Sequence, residues 1–336
     1  MKQPFNFSVI CPIVTIILLI SCSKPESFEE EANLEMETFS IPQEQSATDN
    51  ENEGGYSEVS TKSIWSYLKD DPDYSILTEA IEQIGYEQAL DNPGSFTFFA
   101  PDNAAFNSYL NANNVSSVKN MNTTFLTSLL KMHMFSGEER MEYFPGTYFK
   151  TLSEEFVSRV NIDIFLQQKD GKLMINDQAS VVQKNIKVGN GILNKTDAVI
   201  QPVSLKRLIE LDPALAGLKS MLDAISADMG KELNDLEKDF TIFAPINESL
   251  ENTETTQEET MSCLKYHILK DHIIRYEKFN TGQSLTTWEG SNLTVNHESQ
   301  VYLIDEASNV AEIETANIAA WNGLIHIVDG VFELND

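Results

Sequence analysis

The chain has little cysteine, little positive charge and no long uninterrupted apolar run. Its three cysteines are Cys11, Cys22 and Cys263 in 336 residues, too few for a disulfide framework and without the paired spacing of a zinc site. Lys and Arg number 23 against 52 Asp and Glu, a formal net charge of −29. Such a surface repels phosphate backbones and anionic headgroups at long range, which excludes nucleic acid as a partner. Residues 9–20 form an apolar stretch of about 12 residues, too short to cross a hydrocarbon core of roughly 30 Å as a helix. The five histidines, His133, His267, His272, His297 and His326, show no metal-ligand spacing. Neither Gly-x-Ser-x-Gly nor a phosphate-cradling glycine loop occurs, so no catalytic residue, no metal and no cofactor is expected. Acidic pairs are unavoidable at this composition, and a solvated surface accounts for them.

What is present begins at the N-terminus. Lys2 precedes the apolar stretch, which ends in Leu19-Ile20-Ser21-Cys22 and passes at once into a polar, acidic segment. This resembles the lipobox of bacterial lipoproteins, and implies a signal peptide over residues 1–21 with lipid attached at Cys22. One acyl chain gives only marginal membrane binding, at about 0.8 kcal/mol per buried CH₂, so a two- or three-chain anchor is what makes attachment firm. Ser23, not Asp, follows the cysteine. The enteric signal for inner-membrane retention is therefore missing, and the outer membrane of a Gram-negative envelope is the expected location. With Cys11 removed and Cys22 lipidated, Cys263 is left as a buried small hydrophobe.

Residues 22–60 read as an acidic disordered tether. Between 23 and 60 there are eleven acids and one lysine, Lys24, with few large hydrophobes, too little apolar surface to offset chain entropy. The early acidic cluster Glu26, Glu29, Glu30 and Glu31 resembles signals that send lipoproteins to the outer leaflet. It reads equally well as a plain solvated spacer.

Beyond residue 61 the chain repeats. Residues 96–106, FTFFAPDNAAF, match residues 240–250, FTIFAPINESL, at an offset of 144. Leu130-Lys131-Met132-His133 matches Leu264-Lys265-Tyr266-His267 at 134, and the block from Asn190-Gly191 matches that from Asn322-Gly323 at 132. Three blocks in one order with a drifting offset indicate a duplicated domain with loops of different length, over residues 61–202 and 203–336. Each copy predicts helices first. Ile64, Leu68, Ile76, Leu77, Ala80, Ile81 and Ile84 recur at helical spacing, as do Leu208, Leu211, Leu215, Leu218, Leu222 and Ile225. A short apolar strand follows, over residues 96–99 and 240–243, ended by Ala-Pro. Asp102-Asn103 and Asn247 suit a turn or a helix N-cap. A further amphipathic helix carries His133 or His267, and alternating strands such as residues 160–164 and 293–296 complete the copy. The fold class expected is α+β.

The FAPxN block, the block ending in Tyr-His and the terminal NGxIHxVD block together resemble the fasciclin-like domain, over essentially the whole of residues 61–336. The resemblance implies two fasciclin-like domains, each a β-sandwich or wedge with packed helices. It further implies a non-enzymatic role in adhesion at surfaces. Copy one departs from the pattern with Met132 before its histidine and with Asn194-Lys195 where copy two has His326-Ile327. Copy two has Leu250 where copy one has Phe106. Family members of animals bind receptors near the Tyr-His block, which makes Tyr266 and His267 candidate ligand-binding residues; the alternative is a histidine bonded to neighbouring backbone. Of the tryptophans, Trp65 and Trp321 read as core. Trp288, in a turn-like Thr286-Thr287-Trp288-Glu289-Gly290, is the candidate for stacking on a sugar or anchoring a partner. The expected protein is a surface lipoprotein bound to the membrane through its lipid. Its expected partner is an extracellular or envelope protein or polysaccharide, through adhesion or, alternatively, glycan capture for an outer-membrane uptake system.

Overall fold

A computed structural model describes residues 55–225, 227–250 and 256–333. Cys22, the signal peptide and most of the tether lie outside the described residues. Those that are described belong to one compact unit holding two copies of the same plan.

The first copy runs β1 (Glu58–Val59), α1 (Ile64–Asp70), α2 (Ser75–Ile84), α3 (Glu87–Asp91), β2 (Phe96–Pro101), α4 (Asn103–Ala112) and α5 (Thr123–Lys131). It continues as β3 (Met134–Ser136), β4 (Thr147–Glu154), β5 (Asn161–Lys169), β6 (Lys172–Ile175), β7 (Ala179–Val188) and β8 (Gly191–Thr196). The second repeats it with α6 (Leu205–Leu211), α7 (Ala216–Ala224), α8 (Ala227–Asn234), β9 (Phe240–Pro245), α9 (Gln257–Tyr266) and β10 (Ile268–Lys270). Strands β11 (Ser284–Thr286), β12 (Asn292–His297), β13 (Val301–Ile304), β14 (Val310–Ala320) and β15 (Gly323–Val328) close it.

Sheet order is β3-β2-β8-β7-β6-β5-β4 in the first copy and β10-β9-β15-β14-β13-β12-β11 in the second. The first long strand of each copy thus lies inside the sheet, parallel to the last one. The rest of the strands are antiparallel neighbours, save the short β1, which pairs parallel with β7. β7 and β14 do the bending. β7 carries a bulge at Asn185 (φ +61) and β14 one at Asn317 (φ +59), so one strand pairs with two halves of a curled sheet.

Local chemistry explains the helices. Ser63 and Ser204 cap α1 and α6 by accepting from the N–H of Ser66 and Arg207. Asp71-Pro72 and Asp212-Pro213 then end those helices and start a short 3₁₀ turn, whose first free N–H is capped by the aspartate. The helical run expected from Leu208 to Ile225 is therefore broken in two. Gly85, in the left-handed region at φ +71, ends α2.

Three local expectations change. The prolines of Ala-Pro are the final residues of β2 and β9, paired with Thr196 and Val328, where the strand was expected to stop at Phe99 and Phe243. His133 and His267 sit just beyond their helices. Residues 160–164 were expected to alternate, yet Ile162, Asp163 and Ile164 are all buried and the burial continues through Phe165 and Leu166. Ile162, Ile164 and Leu166 fill the core of copy one, while Phe165 belongs to the hydrophobic cluster of copy two. Over residues 162–166, β5 has no solvent face because the second copy covers it.

Candidate interaction site

The polar residues shared by the two copies are consumed in building them. Asn190 accepts from the N–H of Ile64 (2.8 Å) and donates to the carbonyls of Leu90 and Asn92. Asn322 does the same with Leu205, Leu233 and Asp235. Asn103 accepts from Ile76 N–H and donates to Pro72 O, as Asn247 does with Gly217 and Pro213. Thr97 and Thr241 are buried bridges of the same kind. Gly191 and Gly323 follow the asparagines because a Cβ there would lie 2.2 Å from Phe96 O or 1.9 Å from Phe240 O.

His133 donates from Nδ1 to Leu129 O and accepts at Nε2 from Ile200 N–H; His267 does so with Cys263 O and Phe332 N–H. Each ties a helix end to the last segment of its copy. Burial pushes both imidazoles down to about 4, as it does for His326. Tyr266 is buried, donating to Asn292 O and accepting from Glu306 N–H, and Phe332 packs against both Tyr266 and His267. Trp288 is half-buried elsewhere, against Phe240, with the Lys270 ammonium 4.6 Å from its ring centre. The three candidates are therefore not gathered into one site. A sugar stacking on Trp288 would have to displace that ammonium. Burial raises the Cys263 thiol to about 11, which leaves it unreactive. Among the described residues no three His, Cys, Asp or Glu side chains are grouped to hold a metal, and no helix is long and apolar enough to cross a membrane.

The junction of the copies is where the surface becomes distinctive. Asp163 on β5, 3% exposed in its side chain, accepts from Ala319 N–H of β14 and pairs with Lys150 at 2.8 Å. Burial outweighs both partners and raises its pKa. Lys150 also donates to Asn317 O, so one ammonium binds both copies. Tyr148 donates to Asp212, and Trp321 packs its edges on Phe125 and Phe156. Arg207 reaches Asp177 at 3.5 Å, a partly exposed pair of small worth.

Beside this seam a cleft of about 440 Å³ is lined by Arg159 and its neighbours Val157 and Ser158 from copy one. His272, Arg275 and Lys278 line it from copy two. The lining contains no acid, in a chain whose acids outnumber its bases more than twofold. Val157 of this lining is exposed. Sequence reading passed over these cations because they come from two copies and from loops without a repeated spacing.

The Fasciclin domain model matches residues 72–202 and 216–334. Over 298 residues the chain is 24% identical to the fasciclin-like arabinogalactan protein of Arthroderma benhamiae, covering 82% of this chain and 67% of that protein. It is 26% identical over 264 residues to the transforming growth factor-beta-induced protein ig-h3 of Sus scrofa, covering 76% of this chain and 36% of that one. The chain thus spans about a third of the animal relative. A solved FAS1 domain pair from the insect cell adhesion molecule fasciclin I aligns with a TM-score of 0.45 at 15% identity, over 80% of this chain and 96% of that chain.

Proposed function

We propose, from the premise that this chain belongs to the Fasciclin domain family and carries the domain twice, that it is a non-enzymatic lipoprotein of the bacterial envelope. In this reading it binds another macromolecule at the cell surface, in adhesion. The observation that carries the reading is the locking of the two copies across β5, with Asp163 and Phe165 buried against the second copy. A rigid pair presents one continuous surface without the ordering cost that a flexible pair incurs on binding. Lipid at Cys22 would hold one end, and the residues between it and β1, which begins at Glu58 on the folded first copy, would give a few tens of ångströms of reach as a flexible chain. Glycan capture for an outer-membrane uptake system is the second reading, favoured by the open polar cleft between the copies.

The test is cellular. Protease added to intact cells should degrade the described domains, and Cys22→Ala should move the folded protein to the soluble fraction and abolish cell adhesion. A variant that stayed in the membrane fraction would refute the anchor. Adhesion unchanged by deletion of the gene would refute the function.

A further inference from the structure

We infer that the cleft between the copies is a binding site for an acidic saccharide, a sugar bearing a carboxylate or a sulfate ester. This names the ligand class for the macromolecule-binding reading above and rests on it. The first support is charge. Arg159, Arg275 and Lys278 are permanent cations and His272 a fourth nitrogen donor, brought to one cleft with no acid in its lining. The nearest ion partners are loose: Glu154 lies 3.9 Å from Arg159 and Glu277 lies 3.8 Å from Arg275. Guanidinium N–H groups therefore remain for a ligand oxyanion, which they bind bidentately. Acids do stand nearby, for Glu155 and Asp271 help raise the carboxyl of Asp239. Glu155 itself is buried, with its two oxygens taken by the N–H groups of Val157 and Ser158.

The second support is that the cations are held ready on pinned backbone. The Glu155 bonds shape the loop that puts Arg159 at φ +60, and Arg159 N–H donates to Glu155 O. On the other side Thr241 accepts from Ile274 N–H and donates to His272 O, while His326 donates to Ile274 O. Tyr276 N–H donates to Asn317 and Lys278 N–H to Arg275 O. These fixed bonds flank all four nitrogen-bearing side chains, so little loop order is left to be lost on binding.

The third support is size and polarity. About 440 Å³ accommodates one or two sugar rings, and Ser158 and Gln283 offer a hydroxyl and an amide for sugar hydroxyls. A macromolecular polyanion such as nucleic acid would meet the strongly acidic remainder of the surface, whereas a single charged residue of a glycan needs only the cleft. The site exists only in the tandem, because Arg159 and the other three are supplied by different copies.

Calorimetric titration of the detergent-solubilised full chain tests this with trigalacturonate (carboxylate only), an ι-carrageenan tetrasaccharide (sulfate only) and neutral maltotriose. One charged saccharide should bind, more weakly as salt rises from about 50 to about 300 mM, and maltotriose should not. Arg159→Gln and Arg275→Gln should each weaken binding about tenfold with unchanged thermal melting, while Lys172→Ala, at the exposed first residue of β6, should leave it unchanged. Equal binding of maltotriose, unchanged affinity in both arginine variants, or competition by sodium sulfate as strong as by the saccharide would each overturn the inference. Failure of both charged saccharides in a chain that still mediates adhesion overturns the cleft assignment alone. Loss of adhesion as well overturns the reading beneath it.

Discussion

The two copies share a frame and differ in what fills it. Asn103 and Asn247, Thr97 and Thr241, Asn190 and Asn322, and His133 and His267 make the same hydrogen bonds to equivalent backbone groups. Each satisfies buried N–H and C=O groups that neighbouring elements leave open. The differences lie elsewhere. Asn194 accepts from the left-handed Asn185 N–H in copy one, and His326 takes that place beneath Asn317 in copy two. The residue before the stapling histidine is Met132, buried in the core, in one and Tyr266, hydrogen-bonded at its hydroxyl, in the other. α4 follows β2 as a ten-residue helix, whereas residues 247–250 form a short 3₁₀ turn. Identity between copies therefore marks what folding requires. The residues placed to meet a ligand fall where the copies do not match.

That contrast can be broken most severely at the glycines. Gly191→Ala and Gly323→Ala should each cost about 4 kcal/mol or more, because the added methyl collides with a backbone carbonyl that cannot move without separating parallel strands. Urea unfolding of both variants measures this. A cost below about 1 kcal/mol at either position would show that the close approach is not needed.

Acid separates the copies next. His133 is the buried imidazole of copy one with a depressed pKa, against His267 and His326 in copy two, all pushed down to about 4. On unfolding they return to near 6.5, so the unfolded chain takes up these protons first as pH falls. Their stabilisation is complete above about pH 6.5 and drains away between 6.5 and 4, at about 3 kcal/mol for each imidazole. Copy two should therefore lose about 3 kcal/mol more than copy one. Hydrogen exchange at matched backbone amides, compared at the two ends of that window, reads the difference. Equal losses in both copies would sink it.

The smallest expected effect sharpens the comparison by separating the copies. Lys150→Ala removes a half-exposed ammonium and leaves Asp163 buried with Ala319 N–H as its remaining partner. A cost of about 1–3 kcal/mol is expected, below that of a fully buried pair because Lys150 is solvated. Calorimetry should then resolve two thermal transitions in place of one. A single unshifted transition would mean that Trp321 and Phe165 hold the seam without the ion pair.

Much of the fold was legible because its causes are local. The amphipathic spacing in α2 and α7, the apolar β2 and β9, and the turn residues act within a few positions, and the duplication doubled every signal. The helix broken at Asp212-Pro213 was also a local signal, present twice and overlooked. β5 was misjudged for a different reason. Its unbroken burial depends on a second copy packed against it, which no window of sequence contains. Trp288 is a candidate by residue type, and Tyr266 and His267 are candidates through the family resemblance; the structure puts the first under Lys270 and the other two against Phe332.

By itself, the sequence determined the tandem duplication, the α+β class and the acidic surface, since these follow from repetition, periodicity and composition. Only the tertiary structure decided that the two copies lock through Asp163 and Phe165. It alone placed Arg159 opposite His272, Arg275 and Lys278 in one cleft. The physical reason is distance along the chain: more than a hundred residues separate the two sides of that cleft, and packing, not spacing, brings them together.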